Sequence, residues 1–264
     1  MNRREFLVAG AAGVMVASAA SSLMAQSNSG RGESKVEYYE LRQYHLKNAD
    51  QFNRLQAFLK DALLPVAKKW GSGPVGVFLP MDSADTSTIW TLIPYKNAEA
   101  ALTASRKMMS DPDYLKAGAD FLNSTLEEAG YVRVETSLMV AFDGMPKLAV
   151  PANKPRIFEM RVYESHSDKA HFKKMEMFNK EEIAIFHKTG LKPVFFGSHL
   201  TGSQMPNLTY MLVFDDMADH DALWKTFGSS PEWQKLSNTP GYTGKETVSH
   251  INNMFLRPAP FSQI

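Results

Sequence analysis

The chain contains no cysteine. That one absence excludes disulfides, thiolate metal sites, iron–sulfur clusters and a cysteine nucleophile. Nor is there an excess of either charge: 29 Lys and Arg side chains stand against 28 Asp and Glu in 264 residues. A nucleic-acid surface would need a clustered basic patch, so no nucleic-acid partner is expected. No two histidines fall three or four residues apart on a helix, and no His-Glu-x-x-His segment occurs. A protein metal site is therefore not expected. No cofactor is expected either, although haem, which needs a single histidine ligand, stays open. No serine nucleophile elbow is visible.

What is present begins with a targeting segment. Arg3-Arg4-Glu5-Phe6-Leu7 resembles a bacterial twin-arginine motif. The apolar run that follows, Val8 to Ala20, is short for a membrane span of about 20 residues. Residues 1–25 are thus expected to be a twin-arginine export signal and 26–34 a disordered polar linker. The mature protein would be periplasmic or extracytoplasmic. No apolar run after the signal is long enough to span a membrane. The whole chain is 44% hydrophobic with 16 Phe, 9 Tyr and 15 Met, ample for a core. Methionine fills irregular core gaps and also lines adaptable pockets.

The chain repeats itself. Tyr39-Glu40-Leu41-Arg42-Gln43-Tyr44 returns as Phe158-Glu159-Met160-Arg161-Val162-Tyr163. Glu40 and Glu159, Pro74 and Pro193, and Pro112 and Pro231 all share an offset of 119. Such a long period means duplicated units, not a solenoid. In the first copy, Val36 to Tyr44 reads as a strand. Phe52, Leu55, Leu59, Leu63 and Val66 then mark an amphipathic helix ending near Gly71. Strands follow at Pro74 to Leu79 and Thr88 to Pro94. A helix at Asn97 to Met109, a further helical piece at Tyr114 to Glu128 and a strand at Tyr131 to Phe142 complete the copy. The second copy repeats this order. The expected fold is α+β: two tandem ferredoxin-like β-α-β-β-α-β repeats, residues 35–143 and 156–264, joined by a linker at 144–155.

Side chains alternate across a strand. Phe158, Met160 and Val162 share one face, and Glu159, Arg161 and Tyr163 the other. If the apolar set faces the helices, the Glu/Arg/Tyr sets lie on an open face that must be covered. Two such faces closing on each other would make a pseudo-symmetric α+β barrel with a cavity or packed interior.

At these residues the chain resembles the NIPSNAP family of the dimeric α+β barrel superfamily. The resemblance rests on the two aromatic-Glu-aliphatic-Arg-x-Tyr segments, the Pro74 and Pro193 strands, and Ser110-Asp111-Pro112-Asp113-Tyr114 with Ser229-Ser230-Pro231-Glu232-Trp233. It implies the barrel and a homo-oligomer, but no assigned reaction and no catalytic residue. The wider superfamily includes cofactor-free monooxygenases and haem enzymes, an analogy of fold alone.

The expected ligand-binding residues are Glu40, Arg42, Tyr44, Trp90, Glu159, Arg161, Tyr163 and Tyr210. Guanidinium forks suit carboxylates or enolates. Catalytic candidates are Glu135 and His250, an acid and an imidazole placed on the inner face. The same set could equally be an ion-pair network filling the barrel. Gly71-Ser72-Gly73-Pro74-Val75-Gly76 matches a dinucleotide fingerprint, but it follows a helix and enters a strand, the reverse of what nucleotide binding requires. The expected role is binding, with or without transforming, a small apolar or aromatic molecule that bears a polar group. The alternatives are a cofactor-independent oxygenase or isomerase, and a non-catalytic interaction protein.

Overall fold

The 119-residue period is written into the chain's local punctuation. Asn48 and Ser167 cap equivalent helices, their side-chain oxygens accepting from the amides of Gln51 and Ala170. Asn97 and Asp216 do the same one helix later. These short oxygens satisfy amides that a helix start leaves without partners. The first long helical stretch of each copy ends at a glycine in the left-handed region, Gly71 at φ 85° and Gly190 at φ 91°. There a Cβ would be strained. Each stretch also contains one π-helical turn, Leu59–Leu63 and Phe178–Glu182, again at the same offset.

The computed structural model describes residues 36–264. The expected export signal and the 26–34 linker lie outside the described residues. Eight strands run β1 (Tyr38–His45), β2 (Gly76–Pro80), β3 (Thr88–Tyr95), β4 (Arg133–Ala141), β5 (Ile157–Glu164), β6 (Lys192–Thr201), β7 (Asn207–Phe214) and β8 (His250–Pro258). They form a closed barrel in the order β1-β3-β2-β8-β5-β7-β6-β4, every pairing antiparallel. Each copy supplies four consecutive members. The seams between copies are β2 with β8 and β4 with β6. The fold is the expected α+β barrel. The helical piece expected at Tyr114 to Glu128 is shorter, Pro112–Ala117 and Ala119–Leu122, and its equivalent in the second copy is Pro231–Ser237.

Three apolar clusters divide the core. One lies under the helices of the first copy and includes Leu55, Leu59, Leu63, Val77, Ile89 and Ile93. Another lies under those of the second and includes Phe178, Phe186, Phe196, Leu208, Tyr210 and Leu212. The third fills the barrel itself, with Tyr39, Leu41, Phe78, Phe158, Met160 and Met211 among its members. The tail after β8 folds back on the first copy. The Gln263 amide donates to the Val75 carbonyl, and Ile264 is buried with the barrel cluster.

The sheet is therefore buried on both faces, and the expected orientation is reversed. Phe158 and Met160 point into the barrel. Glu159, Arg161 and Tyr163 point at the helices, as do Glu40, Arg42 and Tyr44. The apolar criterion assumed one wet face, and a closed barrel with outer helices has none. Charged groups settle where partners exist: the helix residue Trp224 serves Glu159 and Arg161, and the strand residue Tyr95 serves Glu40.

The deepest charges follow this rule. Lys174 and Glu182, on the helical stretch after β5, are both nearly fully buried, with Nζ 2.7 Å from Oε2. The Lys174 ammonium lies 4.5 Å from the Phe178 ring centroid. Burial pushes the Glu182 carboxyl upward, and Lys174 opposes that shift. Removing one member strands a charge in the core, whereas replacing both by apolar groups does not. Lys174→Met is expected to lower unfolding free energy by about 3–5 kcal/mol. The Lys174→Met/Glu182→Leu double variant should recover most of it, as read by urea denaturation.

Candidate functional site

At one end of the barrel the apolar filling stops and a cavity of about 410 Å³ opens. It lies at the C-terminal ends of β1, β5 and β6 and the N-terminal ends of β3, β4, β7 and β8. Leu41, Trp90, Val162 and Met254 form its apolar wall, and Gln43, Glu135, Ser137, His199, Asn207, Thr209 and Asn252 its polar one. Side-chain alternation explains the set. Gln43 continues the inward row of Tyr39 and Leu41, Thr209 that of Met211, and Ser137 that of Met139. The rows turn polar as they approach the mouth.

Two cavity residues carry buried polar atoms without a protein partner. His199 Nε2 lies 2.8 Å from Thr209 Oγ1, while its Nδ1 has no hydrogen bond. Asn207 is fixed by its amide nitrogen, which donates to the carbonyls of Ser203 and Gln204 at 2.8 and 2.9 Å. That arrangement sets which end of the amide is which, and it leaves Oδ1 an unpaired acceptor. Buried polar atoms without partners are uncommon and are usually satisfied by water or a ligand. The loop between them holds Gln204 at φ 59°, unusual for a residue with a Cβ.

Glu135 sits at the rim, half-exposed. His45 Nε2 is 3.1 Å from Glu135 Oε1, without hydrogen-bond alignment, and Arg133 Nε is 3.1 Å from the same oxygen. Burial, with the charge of His171 as a second cause, pulls His199 down to about 4. His199 is therefore neutral near pH 7. Among the described residues, no group of three or more His, Asp or Glu side chains could hold a metal ion.

Of the expected site residues, Trp90 and Glu135 line this cavity. His250 lies exposed at the rim, 3.1 Å from Asn252 Oδ1, and is not a lining residue. The other seven lie between sheet and helices. Glu40 accepts from Arg42 Nε at 2.8 Å and from the Tyr95 hydroxyl at 2.9 Å. Arg42 also donates to the Tyr44 hydroxyl oxygen at 3.4 Å. Glu159 accepts from Arg161 at 2.7 Å and from Trp224 Nε1 at 2.7 Å. The Arg161 guanidinium stacks 4.7 Å from the Trp224 ring. Tyr163 and Tyr210 share a hydroxyl contact of 2.9 Å. These groups are a structural network and do not border the cavity. Asn207 and Thr209 are not among the expected site residues, nor is His199, although its place at a strand end is where a cavity mouth is often found. Their one signal in the sequence is polarity interrupting an apolar strand row near its end.

Residues 158–263 match the NIPSNAP family model. The match lies in the second half of this chain. No curated protein matches the sequence. Among solved structures, the chain resembles a candidate monooxygenase from Lactobacillus acidophilus NCFM at 10% identity. That likeness covers 84% of this chain and 94% of the other, with a TM-score of 0.55. It resembles an anthrone oxidase-like protein at 9% identity, covering 84% and 91%, with a TM-score of 0.50. A NIPSNAP-like domain protein from Burkholderia xenovorans is 19% identical, covering 41% of this chain and 89% of that one, with a TM-score of 0.37. At these identities the first two likenesses are of fold. The matched segment takes in β5 to β8, and with them His199, Asn207, Thr209 and Asn252 of the cavity wall.

Two measurements check this placement. Arg161→Ala is expected to lower unfolding free energy by about 3 kcal/mol, because it leaves the Glu159 carboxylate under-compensated. It should leave binding in the mouth cavity unchanged; lost binding at unchanged stability would contradict the network role. His199 adds a pH dependence. Its folded value lies below the unfolded value of about 6.5, so the unfolded chain takes up the proton first. The stability this provides is complete above about pH 6.5 and is lost as pH falls toward 4. Between pH 7 and 4 the wild type should lose on the order of 3 kcal/mol more than His199→Gln, measured by denaturation at each pH.

Proposed function

We propose that this protein binds a small molecule in the mouth cavity, its flat apolar part against Leu41, Trp90 and Met254 and its polar groups on His199 and Asn207. The observation that carries this reading is the pairing of a 410 Å³ cavity with two buried polar atoms that have no protein partner. The volume is within the range of small-ligand pockets, about 300–1,000 Å³. A ligand that gives a hydroxyl or N–H to Asn207 Oδ1 and pairs with His199 Nδ1 restores what folding leaves unmet. The wall is rich in neutral amides and hydroxyls. It favours an uncharged ligand with several hydrogen-bonding groups over a purely apolar one.

A second reading places chemistry on that bound molecule. Glu135 stands on the cavity wall with His45 3.1 Å away, a carboxylate and an imidazole able to take and return a proton. This is the arrangement a cofactor-independent oxygenase or isomerase would need. The neighbours named for monooxygenase and oxidase activity share the fold, which supports the reading by analogy alone. Export by the twin-arginine route, suggested by Arg3-Arg4-Glu5-Phe6-Leu7, and homo-oligomer formation complete the proposal.

A metabolite library screened by thermal shift on purified protein tests the reading. A binder should stabilise the wild type and bind Asn207→Ala about tenfold more weakly, the loss of one buried hydrogen bond. Binders unaffected by both Asn207→Ala and Trp90→Leu would place the site elsewhere, and a screen without binders would favour an interaction protein. For the second reading, Glu135→Gln should keep binding and lose turnover.

A further inference from the structure

The end of the barrel opposite the mouth carries a second hollow of about 320 Å³. It lies at the other ends of the strands that build the mouth. Lys192 and Pro193 start β6, Val213 is near the end of β7, and Arg156 precedes β5. The linker between the two copies forms one wall through Val150. The floor is apolar and the rim is cationic.

The charges do not cancel. Lys154, Arg156 and Lys192 face a single acid, Asp215. Lys154 Nζ takes that acid at 2.6 Å. Among the described residues, no carboxylate lies within 4.0 Å of the Arg156 or Lys192 nitrogens, although the Lys192 charge also acts on Asp215 from farther off. One terminal nitrogen of Arg156 donates to the Lys154 carbonyl at 2.9 Å, and its Nε is buried with no partner. Its guanidinium lies 5.7 Å from the Phe158 ring centroid, and burial pulls it below the usual arginine value. The repeat supplies a control. The position equivalent to Arg156 in the first copy is Glu37, which the fold uses: it accepts from the Leu148 amide at 2.8 Å and from the Tyr39 hydroxyl at 3.3 Å. Of the two related positions, one is consumed by the linker and the other is left with unmet donors above an apolar floor.

We infer that this hollow is a binding site for a small amphipathic carboxylate, its anion held by Arg156 and Lys192 and its apolar body on Val150, Pro193 and Val213. Arginine presents a planar fork that matches a carboxylate, and charge-assisted hydrogen bonds are the stronger kind. Inorganic phosphate would satisfy the cations but leave the floor bare. A neutral apolar molecule would cover the floor and leave the cations unmet. The site is separate from the mouth and does not depend on what binds there.

Calorimetric titration of the purified protein with hexanoate tests this, with hexanamide and inorganic phosphate as comparison probes. Hexanoate should bind with a single site per chain, and hexanamide and phosphate at least about tenfold more weakly. Arg156→Gln and Lys192→Gln should each weaken hexanoate about tenfold, while Asn207→Ala at the far mouth leaves it unchanged. Lys192 is exposed, so its variant tests the site even if Arg156→Gln perturbs folding. The inference is overturned if hexanoate does not bind, if phosphate binds as well as hexanoate, or if neither charge variant alters its affinity.

Discussion

The structure depends on closure of the sheet at its two seams. Each copy alone would offer a four-stranded sheet with helices on one face and a row such as Tyr39, Leu41 and Leu92, or Phe158, Met160 and Met211, on the other. That second face is too apolar to leave in water. Pairing β2 with β8 and β4 with β6 turns the two open faces toward each other and removes all four sheet edges. The seams are short. β2 and β8 pair over three residues, from Phe78 with Pro258 to Pro80 with Leu256. The tail extends this seam through Ala259, Ser262 and Gln263, which bond the backbone of Val75 and Val77. At the other seam the strands approach so closely that a Cβ on Gly197 would lie 2.9 Å from Met139 Cβ. Glycine is required there by the space available.

Closure also decides where charge goes. With both faces of the sheet buried, a Glu or Arg on any strand must find partners inside the protein. The barrel interior is lined by hydrocarbon and thioether and provides few. The helix layer provides Trp224 for Glu159 and Arg161. In the first copy Tyr95 serves Glu40. In the second copy the Glu-x-Arg-x-Tyr pattern thus fastens a helix to the sheet, whereas in the first copy the partner Tyr95 lies on the neighbouring strand β3. The polar groups that do enter the barrel cluster at one mouth, where the strand rows end and solvent is near.

Pseudo-symmetry is strict in the caps and loose in the cavities. Caps, left-handed glycines and π turns recur at one offset because each satisfies a backbone requirement that both copies share. The mouth cavity draws on equivalent positions of both copies, Gln43 with Val162, Trp90 with Thr209 and Glu135 with Met254, but the side chains at them differ. His199 corresponds to Pro80, and Arg156 to Glu37. Freed from a shared backbone demand, these positions diverged between the copies. Both hollows carry polar groups that folding leaves unmet, neutral at the mouth and cationic at the other end.

The period, the succession of strands and helices and the β-α-β-β-α-β unit were legible in the sequence, because each rests on local chemistry: a repeated segment, a glycine ending a helix, an apolar spacing. Closure into an α+β barrel was expected from the need to cover two open sheet faces, although the faces expected there were the Glu/Arg/Tyr ones. Of the expected residues, Trp90 and Glu135 line the mouth cavity. Glu40, Arg42, Tyr44, Glu159, Arg161, Tyr163 and Tyr210 were placed on the wrong side. Alternation reports which residues share a face and is silent on which face is which. Only the tertiary structure decided that, because the choice depends on partners far along the chain, such as Trp224 for Glu159, 65 residues away. The same holds for His199 and Asn207. Their unmet atoms exist only once the barrel has closed around them.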